Sequence, residues 1–89
     1  MVIYTIITRK AALKRIRKAP ERVQKRFALL LSEMVEAGPY RANWPNYSPI
    51  GDNRYHCHLG FSWVACWTYS KEIVTIEVYY AGSRESAPY

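Results

Sequence analysis

The sequence predicts an α+β fold, in the element order β-α-α-β-β-β, with an antiparallel sheet packed on a hairpin of two basic helices. Three observations predict it. A β-branched and aromatic run opens the chain, two helical periodicities fill residues 9–37, and three alternating runs separated by turn residues occupy 54–80. The 89 residues suffice for one hydrophobic core and not for two, and no linker or repeat divides them, so residues 1–89 read as a single domain. With 49% hydrophobic residues, three Trp and eight Tyr, the chain has enough large apolar surface to argue against disorder.

Val2 to Ile7 reads as the first strand, and Thr8 is placed to cap the helix after it. Between Arg9 and Lys18 the apolar Ala12, Leu13 and Ile16 fall on one side of a short helix and the basic residues on the other. Ala19-Pro20-Glu21 interrupts the pattern, and Pro20 suits the first turn of a second helix because its missing N–H has no intrahelical partner there. That helix, about Pro20 to Ala37, aligns Val23, Phe27, Leu30, Leu31, Met34 and Val35, and Gly38-Pro39 ends it. Neither apolar stripe can be buried alone, so a sheet must cover both. Residues 39–53, rich in Pro, Asn, Gly and aromatics, read as a loop whose Trp44 and Tyr47 either pack down or serve a function.

Three strands are expected at Arg54 to Leu59, Trp63 to Tyr69 and Ile73 to Tyr80, with turns at Gly60 and Ser70-Lys71. Val74, Ile76, Val78 and Tyr80 of the last strand share one face, and Thr75, Glu77 and Tyr79 the other. A two-residue turn between Tyr69 and Glu72 sets Trp67 opposite Val74 and Ala65 opposite Ile76, with the tryptophans toward the core; a three-residue turn reverses this.

The net charge of +6 is localised. Residues 9–36 hold nine Lys and Arg against three Glu, while the remainder of the chain balances to zero. Such a segment either faces a polyanion, where Lys and Arg displace counterions from phosphates, or forms a solvated face. Cys57 and Cys66 make no CxxC pair or disulfide framework, which fits free thiols in a reducing compartment. The Val2–Ile7 run is too short for a signal h-region or a membrane span, so a soluble cytoplasmic protein is expected.

Both histidines lie in Arg54-Tyr55-His56-Cys57-His58-Leu59, where strand alternation puts Arg54, His56 and His58 on one face and Tyr55, Cys57 and Leu59 on the other. The predicted register adds Cys66, Thr75 and Glu77 to the histidine face. Imidazoles exchange protons near neutrality, Glu77 can orient one, and Arg84 can hold a phosphate, which together are parts for phosphodiester chemistry without a metal or other cofactor. A metal reading from His56, His58 and Cys66 lacks a fourth ligand.

The order of elements, Ala12-Leu13-Lys14 in the first helix, the Tyr55 to Leu59 strand, the aromatic strand ending at Trp67, and Gly82-Ser83-Arg84-Glu85 followed by Tyr89 together resemble the RelE/ParE toxin superfamily of type II toxin–antitoxin systems. The resemblance spans nearly the whole chain and is nearer to the RelE-like ribosome-dependent mRNA endonucleases. It implies a toxin that cleaves mRNA at the ribosome, binds rRNA through basic helices, and is neutralised by a cognate antitoxin. It places His56 and His58 where RelE-type members carry two lysines, Arg84 at their phosphate-binding arginine, and Tyr89 about one residue from their catalytic tyrosine. Val64 stands where they usually carry an arginine, and a neutral side chain there removes a permanent cation. Arg54, Lys10, Lys14, Arg17, Lys18, Arg22 and Lys25 are the expected phosphate- and RNA-binding residues. The alternative is a non-catalytic inhibitor of the same fold, ParE-like, or a basic nucleic-acid-binding module.

Overall fold

The computed structural model describes residues 2–89. Strand β1 (Thr5–Thr8) leads into helices α1 (Lys10–Ile16) and α2 (Glu21–Ala37), followed by β2 (Ser48–Gly51), β3 (Arg54–Gly60), β4 (Trp63–Ser70) and β5 (Thr75–Ser83). The five strands form one sheet in the order β1-β5-β4-β3-β2. The helices cover one face.

Two features depart from the predicted sheet. It is mixed, because β1 pairs parallel to β5 while the other neighbours are antiparallel. The helical crossover returns the chain at the far edge, and β2 to β5 then meander back to reach β1 in its own direction. The segment read as loop also contains β2. Pro49 and Gly51 disguise it in the sequence, yet proline is tolerated at an edge, and a register shift between these residues marks the irregularity.

The helices follow most of the apolar pattern, with Leu13 and Val35 only half-buried and outside the core cluster. Ala12 and Ile16 of α1, and Val23, Phe27, Leu30 and Met34 of α2, are buried, with Leu31 packed at the margin. Thr8 stays in β1 instead of capping α1; Arg9 takes that position without a side-chain cap. At the end of α2, Gly38 adopts φ +91°, and a Cβ there would fall 2.8 Å from Cζ of Tyr4. Only glycine fits that conformation without strain.

The core side of the sheet receives Tyr55, Cys57 and Leu59 from β3 and Ala65 and Trp67 from β4, as the alternation predicts. The β4–β5 turn is longer than two residues: Ser70 pairs with Thr75, leaving 71–74 as the connection, with Val74 at φ +49°. The two extra residues preserve strand parity, so Trp67 still faces the core although its partner is Val78 instead of Val74. Between Cys66 and Trp67 the register shifts, with Cys66 opposite Tyr80. This bulge turns Tyr80 away from the predicted core side and into a second apolar cluster with Val64 and Cys66.

The 39–47 segment packs down. Trp44 is buried in the main core and Tyr47 stacks on Tyr55 at 6.1 Å between ring centroids. Its anchor is Glu33, whose Oε1 accepts hydrogen bonds from Trp44 Nε1 (2.8 Å), Arg41 Nη1 (3.1 Å) and Asn43 Nδ2 (3.2 Å). Hydrogen bonding from Trp44, opposed by partial burial and reinforced by Asn43 and Arg41, holds this carboxyl below its ordinary range. Its contribution to stability is therefore present above the unfolded value near 4.5 and fades as pH falls through the lower folded value. Glu33→Ala strands the buried indole N–H and should cost about 1–3 kcal/mol in urea unfolding at pH 7, with a smaller difference from wild type in acid.

Candidate functional site

The face of the sheet opposite the helices carries the histidines. His56 is buried and His58 half-buried, with ring centroids 5.9 Å apart. Across the β3–β4 ladder, His56 faces Cys66 and His58 faces Val64. The chain beyond β5 folds back over this surface: Ala87 packs on the Val64, Cys66 and Tyr80 cluster, and the Tyr89 ring lies 4.5 Å from the ring of His56. A residue near the end of the chain is thus brought to the middle of β3.

Each imidazole is held by the strand or loop beside it. Nδ1 of His56 lies 3.2 Å from Ser48 Oγ and 3.3 Å from the Ser48 carbonyl oxygen. A carbonyl only accepts, so Nδ1 carries the proton in that contact and Nε2 of neutral His56 keeps the lone pair. The Asn46 amide stands 3.4 Å from both ring nitrogens of His58, and the His58 backbone N–H donates to the Pro45 carbonyl at 2.8 Å. Asn46 and Ser48 were not singled out in the sequence; recognising β2 as a partner of β3 is the signal that finds Ser48.

His58 opens into a concavity of about 520 Å³ bounded also by Arg22 and Arg26 of α2, Asn46, Phe61 and Arg84. Three arginines therefore line one space next to a histidine. Arg26, absent from the predicted binding set, is one helical turn from Arg22 on the same face and lies 4.9 Å over the Trp44 ring. At Arg84 the backbone N–H donates to the Ser62 carbonyl at 2.7 Å, which ties the segment after β5 to the β3–β4 hairpin.

Other predicted residues are elsewhere. Arg54 is at the far end of β3 against Gly51, four residues and about 13 Å along the strand from His58, so it does not join Arg84. Lys10, Lys14 and Arg17 line a separate concavity with Leu13 on α1. Lys18 is exposed and Lys25 pairs with Glu21 at 3.4 Å. Glu77 cannot orient a histidine as expected, because its carboxylate is engaged by Arg9 at 2.8 Å. Cys66 is buried and its thiol is pushed up to about 12 by that burial, and among the described residues no three His, Cys, Asp or Glu side chains are grouped to hold a metal ion. Among those residues, no helix is long and apolar enough to cross a membrane.

The electrostatics set protonation states. Burial first, and then the charges of His56 and Arg84, push His58 below its ordinary value of 6.5. It is a neutral base at pH 7. Burial above all raises the Tyr89 phenol, which stays protonated. Folding favours neutral His58, so the stability it contributes is full above the unfolded value near 6.5 and is lost as pH falls through that value toward the lower folded one. In an NMR titration, His58 should titrate below 6.5, and Arg84→Gln should move its midpoint upward by removing a neighbouring cation.

No family model matches the chain, and no curated protein matches it by sequence. Solved structures do match. The chain is similar to a chain of the intact E. coli RelBE toxin–antitoxin complex, at 25% identity and TM-score 0.68, over 90% of this chain and 95% of that one. It is similar to a chain of the archaeal RelE–RelB complex from Pyrococcus horikoshii, at 15% identity and TM-score 0.76, over 97% and 100%. A chain of the E. coli DinJ–YafQ toxin–antitoxin complex superposes at TM-score 0.77 with 10% identity, over 99% and 100%. The resemblance to the RelE/ParE superfamily read from the sequence extends to the tertiary structure: this chain has the RelE-type toxin fold.

Proposed function

We propose that this protein is the toxin of a type II toxin–antitoxin system and a ribosome-dependent mRNA endonuclease, with a cognate antitoxin and with rRNA and mRNA as partners. One observation carries the reading. A neutral imidazole borders a concavity lined by three arginines, and a second imidazole on the same strand packs at a tilt against a protonated phenol, all within a RelE-type fold. Such groups can supply the general base, the general acid and the charge stabilisation for cleavage of an RNA phosphodiester.

In the proposed reaction the ribose 2′-oxygen bonds to phosphorus as the bond to the 5′-oxygen breaks, leaving a 2′,3′-cyclic phosphate and a 5′-hydroxyl. His58 takes the 2′-hydroxyl proton, a task suited to a base held neutral at pH 7. Tyr89, its phenol held protonated, gives its proton to the leaving oxygen, and His56, with Nδ1 held by Ser48, packs against that ring and leaves its Nε2 lone pair to accept a proton in return. Arg84 holds the phosphate and, with Arg22 and Arg26, offsets the charge that builds on its oxygens. Val64 is buried opposite His58, so no strand cation stands there; the two α2 arginines supply positive charge to the concavity that His58 borders.

The α1 basic concavity of Lys10, Lys14 and Arg17 is the proposed rRNA contact, remote from the cleavage site. Induced expression should arrest growth and create new mRNA 5′ ends within codons of translated messages only. His56→Ala with His58→Ala should lower cleavage by about 10²- to 10⁴-fold. Growth arrest by the double variant with intact transcripts would point instead to the non-catalytic inhibitor.

A further inference from the structure

Phe61 is unexplained by the fold. It is 88% exposed, the most exposed of the large apolar side chains among the described residues, and it belongs to neither buried cluster. Gly60 pairs with Trp63, so Phe61 and Ser62 form the tip of the β3–β4 hairpin, a place where turn chemistry favours Gly, Asn or Asp. An aromatic ring held in water at a tight turn gains nothing for folding.

Its surroundings define what it meets. Phe61 borders both the concavity containing His58, Arg22, Arg26 and Arg84 and a second one of about 580 Å³ lined by Ser62, Trp63, Ser83, Arg84 and Glu85. Arg84 is common to the two, and the hydrogen bond from its N–H to the Ser62 carbonyl sets the hairpin tip against it. A flat apolar ring bordering a concavity lined by three arginines matches a ligand with a π-face and an adjacent negative charge. A nucleotide has both. Glu85 in the second concavity disfavours phosphate there, which leaves the concavity with Arg22 and Arg26 as the better place for a phosphate and the Phe61 ring as the better place for a base.

We propose that Phe61 is the stacking platform for an unpaired base of the mRNA beside the scissile phosphate. This deepens the endonuclease reading and rests on it. Base–aromatic stacking is sequence-tolerant and sets how tightly and in what register the strand lies, so Phe61 is a substrate-binding residue that takes no part in proton transfer.

The test is single-turnover cleavage by the full chain on ribosomes programmed with a defined message. Phe61→Ala should raise the half-saturating toxin concentration about 5- to 150-fold, with the saturating rate within about threefold of wild type and unchanged thermal unfolding. Phe61→Trp and Phe61→Tyr should restore tight binding. An abasic nucleotide at one codon position should cost wild type a similar factor and cost Phe61→Ala little more, because both remove the same contact. Wild-type affinity in Phe61→Ala, or abasic and Phe61→Ala losses that multiply in full, overturns the proposal while leaving the endonuclease intact. Full cleavage with lost antitoxin neutralisation assigns the ring to a protein partner and also overturns it. Absence of message cleavage by wild type overturns the endonuclease reading and this inference together.

Discussion

Everything at the candidate site depends on the register of β3. Tyr55, Cys57 and Leu59 are packed into the main core, and a slip of one residue would expose all three and bury the histidines in their place. Burying two imidazoles without partners costs several kcal/mol by the usual penalties for unpaired polar groups, on the order of 1–3 kcal/mol each. The apolar side of the strand therefore decides where the polar side points. His56 and His58 are held on one face by residues that do no chemistry.

The site is then completed by segments distant in sequence. Ser48 comes from an edge strand, Asn46 from the packed loop, Arg22 and Arg26 from α2, and Arg84 and Tyr89 from beyond β5. Three hydrogen-bonded joints make this assembly definite: Glu33 with Trp44 fastens the loop to α2, Pro45 with His58 fastens the loop to β3, and Ser62 with Arg84 fastens the hairpin to the C-terminal segment. These joints hold Asn46, Phe61 and Arg84 beside His58. Charge follows from the same packing, since a histidine pressed between partial burial and an arginine stays neutral, and a phenol partly removed from water stays protonated.

The RelE-type fold is shared here with chains that are as little as 10% identical, which shows how little of the sheet and helix architecture depends on particular side chains. Apolar residues at helical and strand spacing suffice for it. The chemistry is less forgiving. Opposite His58 this chain has buried Val64, within an apolar cluster with Cys66 and Tyr80 on which Ala87 packs. A guanidinium could not enter that cluster without displacing it, and the positive charge beside His58 comes from Arg22, Arg26 and Arg84.

The sequence by itself determined the helix stripes, the two faces of β3 and the concentration of basic residues in 9–36, because each is a local property set by a period of 3.6 or 2 or by composition. It did not show β2, whose Pro49 and Gly51 read as loop, or the bulge that turns Tyr80 onto the histidine face. It also grouped Arg54 and Glu77 with the histidines, since alternation says which face a side chain takes and nothing about its distance along that face or its partner. Tertiary structure decided those matters: it left Arg54 about 13 Å along the strand from His58, gave Glu77 to Arg9, and folded Tyr89 onto His56. Periodicity is written in neighbouring residues, whereas convergence is written in contacts between residues far apart in the chain.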